Sequence, residues 1–270
     1  MMNIRQFATT AGLVAGSAIA LSAPAHAFSF QTNYTSALTG KNAAKGDIIL
    51  NSVTLNSGKI ISDFTLVTSA NILSNDIFTG GNSGAASADI GDLATTGLEQ
   101  EDLTNAGAAA VLSNLNLNNI IDTEDQGNFI LDLNFAKAVD NIFIWERGMN
   151  SRLDIQALDA NGNAIGNKVA LSNSKNWDYA GFDIDTKEIS GAQKVGSIGV
   201  SLADLGISNA FINSLRVTSN GKPYNGPDFK VMGSVADVVP QSVPEPSALI
   251  GLGAVVVGAL TTRRRGQQAA

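Results

Sequence analysis

Phe129-Ile130-Leu131-Asp132-Leu133-Asn134-Phe135 and, three residues later, Val139-Asp140-Asn141-Ile142-Phe143-Ile144-Trp145-Glu146 are the stretches that decide the fold. In the first, Phe129, Leu131, Leu133 and Phe135 alternate with Ile130, Asp132 and Asn134. A period of two with one polar side predicts a strand with one wet face. The second stretch, counted from Ala138 to Glu146, is apolar on both sides, with Ile142 and Ile144 facing one way and Phe143 and Trp145 the other. Such a strand is predicted to lie centrally, covered from both directions.

Strand signals continue outward on either side. Residues 47–55, 59–67 and 70–78 read as strands, with Asn56-Ser57-Gly58 as a hairpin turn between the first two. The Gly, Ser and Ala stretch 80–88 reads as a loop. A helix is predicted to start at Thr96, where Glu99 three residues on completes a capping box, and Leu98, Leu103, Ala106, Ala110 and Leu112 would line its buried face. Glu99, Glu101 and Asp102 could be read as a metal site, but acidic residues meeting the positive end of a helix account for them. Leu115, Leu117 and Ile120 lead into an acidic turn at 121–127.

Beyond the central strand, 153–158 and 164–171 flank Asp159-Ala160-Asn161-Gly162-Asn163, a hairpin signal because Asn-Gly accepts positive φ. Segments 176–185, 194–202, 211–219 and 229–239 complete the pattern of roughly ten to twelve short strands and one helix. Parallel strands need a helix at each crossover, which this chain lacks. The expected fold is therefore mainly β, an antiparallel two-sheet sandwich of jelly-roll type with one short helix. A β-helix is the alternative architecture, and no sustained repeat of constant period supports it.

The two ends carry a different signal. Arg5, the apolar run 7–21 and Ala25-His26-Ala27 before Phe28 have the order of a signal peptide, so residues 1–27 are expected to be a signal helix removed after Ala27. At the other end Pro240, Pro244 and Pro246 stiffen a linker. Pro244-Glu245-Pro246-Ser247 is followed by an apolar segment at 248–260 and by Arg263, Arg264 and Arg265. As a helix, 13 residues rise about 20 Å, short of the roughly 30 Å hydrocarbon core. Extending the helix to 248–262, with the arginines reaching the headgroups as a cytoplasmic basic stop, makes a marginal span. An ordinary single-pass anchor is one reading of such a tail; a segment held briefly in the membrane and cut away is the other.

The tail resembles the PEP-CTERM protein-sorting signal that exosortases read in Gram-negative bacteria, its motif falling on residues 243–247, at Pro244, Glu245 and Pro246. That resemblance implies processing near the motif, with an exosortase and the Sec export machinery as partners, transient membrane insertion, and a destination at the cell surface or in the extracellular matrix. Asn141-Ile142-Phe143-Ile144-Trp145-Glu146-Arg147-Gly148-Met149-Asn150 and Gly226-Pro227-Asp228-Phe229-Lys230-Val231-Met232-Gly233 resemble segments of uncharacterised exosortase-dependent surface proteins. They imply a surface protein and no established activity. The expected division is a signal peptide at 1–27, an exodomain at 28–239, and a linker with its sorting signal at 240–270.

Residues 28–243 hold 13 Lys and Arg against 23 Asp and Glu, a balance of −10. Nucleic acid and anionic membrane surfaces call for a basic patch, so this charge argues against both. The only histidine is His26 and there is no cysteine. Imidazole-based hydrolysis, the usual zinc sites and disulfides are thereby excluded from the exodomain. A pair of carboxylates could still cleave a glycan, and Glu146 at the end of the apolar strand is the candidate acid. A strand-end ion pair with Arg147 is the competing account. Asp122, Glu124 and Asp125 with Asn128, and separately Asp183 and Asp185, offer oxygen ligands for a structural calcium, although position twelve from Asp122 is Leu133 where an EF-hand needs Glu. Trp145, Trp177, Tyr179 and Tyr224 are candidate glycan contacts. The expected function is a non-enzymatic surface or exopolysaccharide-matrix protein; a carbohydrate-binding module is the alternative, and a carboxylate-dependent glycan-cleaving enzyme stands behind it.

Overall fold

The computed structural model describes residues 27–77, the backbone of 86–90, and residues 103–172, 177–186, 191–208 and 210–236. The signal peptide up to His26, the helix start at Thr96 with Glu99, Glu101 and Asp102, and the sorting signal at 240–270 lie outside the described residues. The strands, in chain order, are β1 (Phe30–Ser36), β2 (Ile48–Leu55), β3 (Ile60–Ile61), β4 (Phe64–Thr65), β5 (Val67–Asn75) and β6 (Ala86–Ile90). Helix α1 (Asn105–Leu112) precedes β7 (Asn119–Thr123), β8 (Asn128–Arg147), β9 (Arg152–Leu158) and β10 (Ala164–Ser172). The chain continues through β11 (Asp178–Ile184), β12 (Gln193–Ser201), β13 (Ile212–Asn220) and β14 (Asp228–Val235).

The protein is mainly β and antiparallel, with an 11-stranded sheet and a 3-stranded sheet. Strand β8, 20 residues long, is the spine. It contains both decisive stretches, and each half has its own neighbours. The first half pairs with β13 and β5 through Leu131 and Leu133, and the second with β12 and β14 through Ile142 and Ile144. Three register irregularities in these pairings fall between Asn134 and Asn141, and a fourth, with β5, lies at Ile130 and Leu131. Bulges bend a strand, which lets one strand serve two sets of partners. Leu131, Leu133, Ile142 and Ile144 then join one apolar cluster with Phe229 and Val217.

The other face of the second half is covered too. Phe143, Trp145 and Met232 form a second cluster with Phe30, Ile48, Leu50 and Val53, which come from the small sheet β1-β2-β3. The expectation of a strand apolar on both sides thus has its physical cause in two separate cores. Phe28 ties the small sheet to the large one: its amide donates to the Gly199 carbonyl at 2.7 Å, and its ring meets Phe143 edge-on. Gly199 leaves the space, since a Cβ there would lie 2.2 Å from the Phe28 ring.

The turns follow their sequences. Gly58 and Gly162 take positive φ in the two expected hairpins, and Asp159 Oδ1 accepts from the amides of Asn161 and Asn163 at 2.8 Å. Elsewhere the sequence expectation needs correction. The stretch 59–67 is broken into the short β3 and β4 and the start of β5. Residues 86–88 belong to β6, because pairing with β7 satisfies their backbone whatever their composition. Helix α1 is capped by Thr104, whose Oγ1 accepts from the Gly107 amide at 3.0 Å. Its buried face is Gly107, Ala108, Val111 and Leu112; Ala106 is exposed. Among the described residues no helix is long and apolar enough to cross a membrane.

Candidate functional site

Two places bring functional side chains together. One is an open cleft of about 370 Å³ where β1, β11 and the turn before β2 meet. Tyr34, Ser36, Lys41, Tyr179, Gly181 and Asp183 line it. Tyr34 is fixed from below by the edge of Phe182, 5.0 Å between ring centres, and donates through its hydroxyl to the Gly181 carbonyl at 2.7 Å. Gly181 has φ +92°, a conformation that L side chains rarely adopt. Tyr179 is 50% exposed, donates to Asp183 Oδ1 at 2.9 Å, and has the Lys194 ammonium 5.3 Å from its ring centre. Partial burial and the Asp183 carboxylate push the Tyr179 hydroxyl up to about 12, so it stays a neutral donor. A half-exposed aromatic face beside a carboxylate and ammonium groups can stack on an apolar ring face and hydrogen-bond hydroxyls at its rim.

The other place is buried, at the end of β8. The Arg147 guanidinium donates to Asp228 Oδ2 from Nε at 3.0 Å and from Nη2 at 2.7 Å, to Asp122 Oδ2 at 3.1 Å, and to Thr186 Oγ1 at 2.6 Å. Asp228 Oδ1 accepts from the Thr123 amide at 2.8 Å. Burial and the like charge of Asp122 hold the Asp228 carboxyl well above the usual carboxylate range, over the opposing pull of Arg147 and the Thr123 amide. One guanidinium therefore organises β7, β8 and β14 at this end of the sheet.

Glu146, the preceding residue, points to the other face and is 0% exposed. Neither carboxylate oxygen has a hydrogen-bond partner in proper geometry, although the Ser151 hydroxyl and the Met149 and Asn150 amides face it. Burial pushes its carboxyl up to about 8 against the pull of those groups and of Arg147. Substrate cannot reach an acid so placed without opening the fold. Lys230 is buried as well, its Nζ donating to the Val111 carbonyl at the end of α1 and to Asn114 Oδ1 at 3.1 Å. Burial alone drives this ammonium well below its ordinary value.

The candidate residues of the sequence thus part company. Trp145 lies in the core, 1% exposed, with its indole donating to Thr32 Oγ1 at 2.9 Å, and Trp177 is buried with its indole on the Ser151 carbonyl at 3.1 Å. Tyr224 is buried, donating to Asp154 Oδ2 at 2.7 Å beneath the Arg152 guanidinium. Of the four aromatics only Tyr179 reaches a surface a glycan could touch. Asp122 sits within β7 and turns to Arg147, away from a shared site with Glu124 and Asp125, and Asp185 meets Lys45 at 3.5 Å while Asp183 meets Tyr179. Among the described residues no three acidic side chains converge as metal ligands. Ala27 packs at the edge of the first core, and Ala25 lies outside the described residues, as do Pro244, Glu245, Pro246 and Arg263 to Arg265.

Tyr34, Asp228, Thr186, Ser151 and Lys230 were not singled out by sequence. Lys230 had a visible signal, a single charge within Phe229-Lys230-Val231-Met232, and Asp228 opens the same apolar run. Tyr34 and Thr186 had none, because their partners lie 147 and 39 residues away. Comparison with protein families, curated proteins and solved structures finds no match for this chain.

Proposed function

We propose that this is an exported, non-enzymatic protein of the cell surface or exopolysaccharide matrix, a jelly-roll-type β-sandwich delivered by its signal peptide and processed by an exosortase at Pro244-Glu245-Pro246. The observation that carries the reading is the sequence of segments in the tail, motif, apolar stretch and three arginines in that order, together with a signal-peptide pattern at the other end. Burial of Glu146, the one carboxyl the sequence offers as a catalytic acid, supports a role without catalysis. The test is the intact mass and cell fraction of the protein recovered from an exosortase-bearing host. A surface or medium species lacking residues 1–27 and the tail beyond Pro244 is expected. A species retaining Arg263 to Arg265 in the inner membrane would overturn the sorting reading and leave a membrane-tethered exodomain.

A second reading, binding of a matrix polysaccharide, is favoured by one observation, the exposed Tyr179 ring above the cleft. Retardation in a gel containing the host's exopolysaccharide, lost in Tyr179→Ala, is the expected result. Equal mobility with and without polysaccharide removes this reading and leaves the structural one.

A further inference from the structure

Ser151, at the start of the chain's return from β8 into β9, is surrounded by acceptors. Its Oγ lies 2.7 Å from the Asn225 carbonyl oxygen, 3.2 Å from that of Gly226 and 3.3 Å from Asn150 Oδ1. The Glu146 carboxylate faces the same hydroxyl. One hydroxyl carries one proton, which can satisfy one of these oxygens. The carboxylate is fully buried, and among the described residues neither of its oxygens is held in a hydrogen bond of proper geometry, although the Ser151 hydroxyl and the Met149 and Asn150 amides face it.

The backbone is shaped to create this surplus. The non-glycine residues at positive φ among those described are Met149 at 57° and Asn225 at 55°, and each sits in one of the two turns that supply the oxygens. Gly148 and Gly226 beside them are also at positive φ; a Cβ on Gly148 would strike Asn150 Oδ1 at 2.6 Å, and one on Gly226 the Thr123 carbonyl at 2.1 Å. Holding residues in that region costs on the order of 1–3 kcal/mol each and persists where the surroundings require it.

We infer that Glu146, Asn150, Ser151 and the carbonyls of Asn225 and Gly226 form a binding site for a divalent cation, calcium by its chemistry. The ligands are all hard oxygens, most of them neutral, which calcium accepts in irregular shells of six to eight at about 2.3–2.6 Å. Magnesium demands a regular octahedron and keeps its waters, and softer metals want imidazole or thiolate, absent here. Neighbouring oxygens about 3 Å apart suit a shell of that radius. Asn150 and Asn225 are exposed while Ser151 and Gly226 are buried, so the ion enters between two surface turns. The site is distinct from the acidic turn at 122–125.

Trp177 provides a direct reporter, since its indole donates to the Ser151 carbonyl at 3.1 Å. The experiment uses the purified full chain, stripped with a chelator and titrated with terbium and then calcium. Terbium emission excited through tryptophan is expected, displaced by calcium and not by equal magnesium, together with a melting temperature raised by about 5–10 °C at calcium roughly 100-fold above Kd. Both responses should vanish in Glu146→Gln, which keeps the side-chain volume. Asn150→Ala, at an exposed position, should fold normally and bind calcium at least tenfold more weakly. No emission and no melting shift in the unmodified chain would overturn the assignment, as would responses left intact by Glu146→Gln and Asn150→Ala together.

Discussion

Arg147 is the residue on which one end of the molecule depends. It is 2% exposed and holds two carboxylates from two other strands with four hydrogen bonds to Asp122, Asp228 and Thr186. A buried ion pair is a weak source of net stability, because desolvating the charges cancels most of their attraction. Removing one partner is another matter. Arg147→Ala leaves Asp122 and Asp228 facing each other without a counter-charge, and the expected loss is about 3–5 kcal/mol in urea unfolding at neutral pH. Arg147→Lys should recover only part of this, since an ammonium cannot reproduce a fork that reaches Asp228 twice. A loss below about 1 kcal/mol for the alanine variant would mean that the two carboxylates take up a shared proton or a cation without strain.

At the scale of elements, the spine β8 was legible from its side-chain pattern, and so were the hairpins that Gly58 and Gly162 close. The small sheet's position over Phe143 and Trp145 was not, because a two-faced apolar strand says that it is covered and not by what. The residue that settles this is Gly199, which admits the Phe28 ring and ties the first residues of the domain to β12. Gly199→Ala is expected to displace that ring and cost roughly 1–3 kcal/mol. In the Phe28→Ala background the same change should be close to neutral, and a double-mutant cycle measures the coupling; additive losses would show that the ring is not seated there. Helix α1 gives a second case. The capping-box motif at Thr96 lies outside the described residues, and α1 itself is capped by Thr104, eight residues on, with no acidic residue in its first turn. Thr104→Ala should lower stability by about 1 kcal/mol, read as a shift in denaturation midpoint with an unchanged slope. Of the candidate contacts, Tyr179 kept its surface and the tryptophans lost theirs to the cores, for aromatic type alone does not say which side of a strand faces solvent.

For the molecule as a whole, the telling feature is that an acidic chain encloses a lysine with no carboxylate among the described residues to meet it. Lys230 stands on β14, the strand whose side chains feed both cores, and its Nζ reaches the carbonyl end of α1 through Val111 and Asn114. Both partners are neutral oxygens, and burial holds its pKa well below the ordinary lysine value. Because the folded pKa lies below the unfolded value of about 10.4, the unfolded chain binds more protons in the window between the two. Stability must therefore rise with pH through that window and level off above the unfolded pKa. Lys230→Met keeps the apolar stem and removes the titration. At the acid end of the window the variant is expected to be the more stable protein, since it is spared the burial of a charge. As pH approaches 10 the difference should shrink and reverse, because the neutral amine still donates to Val111 and Asn114 and methionine does not. Guanidinium unfolding of both proteins from pH 6 to pH 10 decides the matter. A constant difference across that range would mean that Lys230 remains charged in the fold, with water or a carboxylate drawn in to meet it.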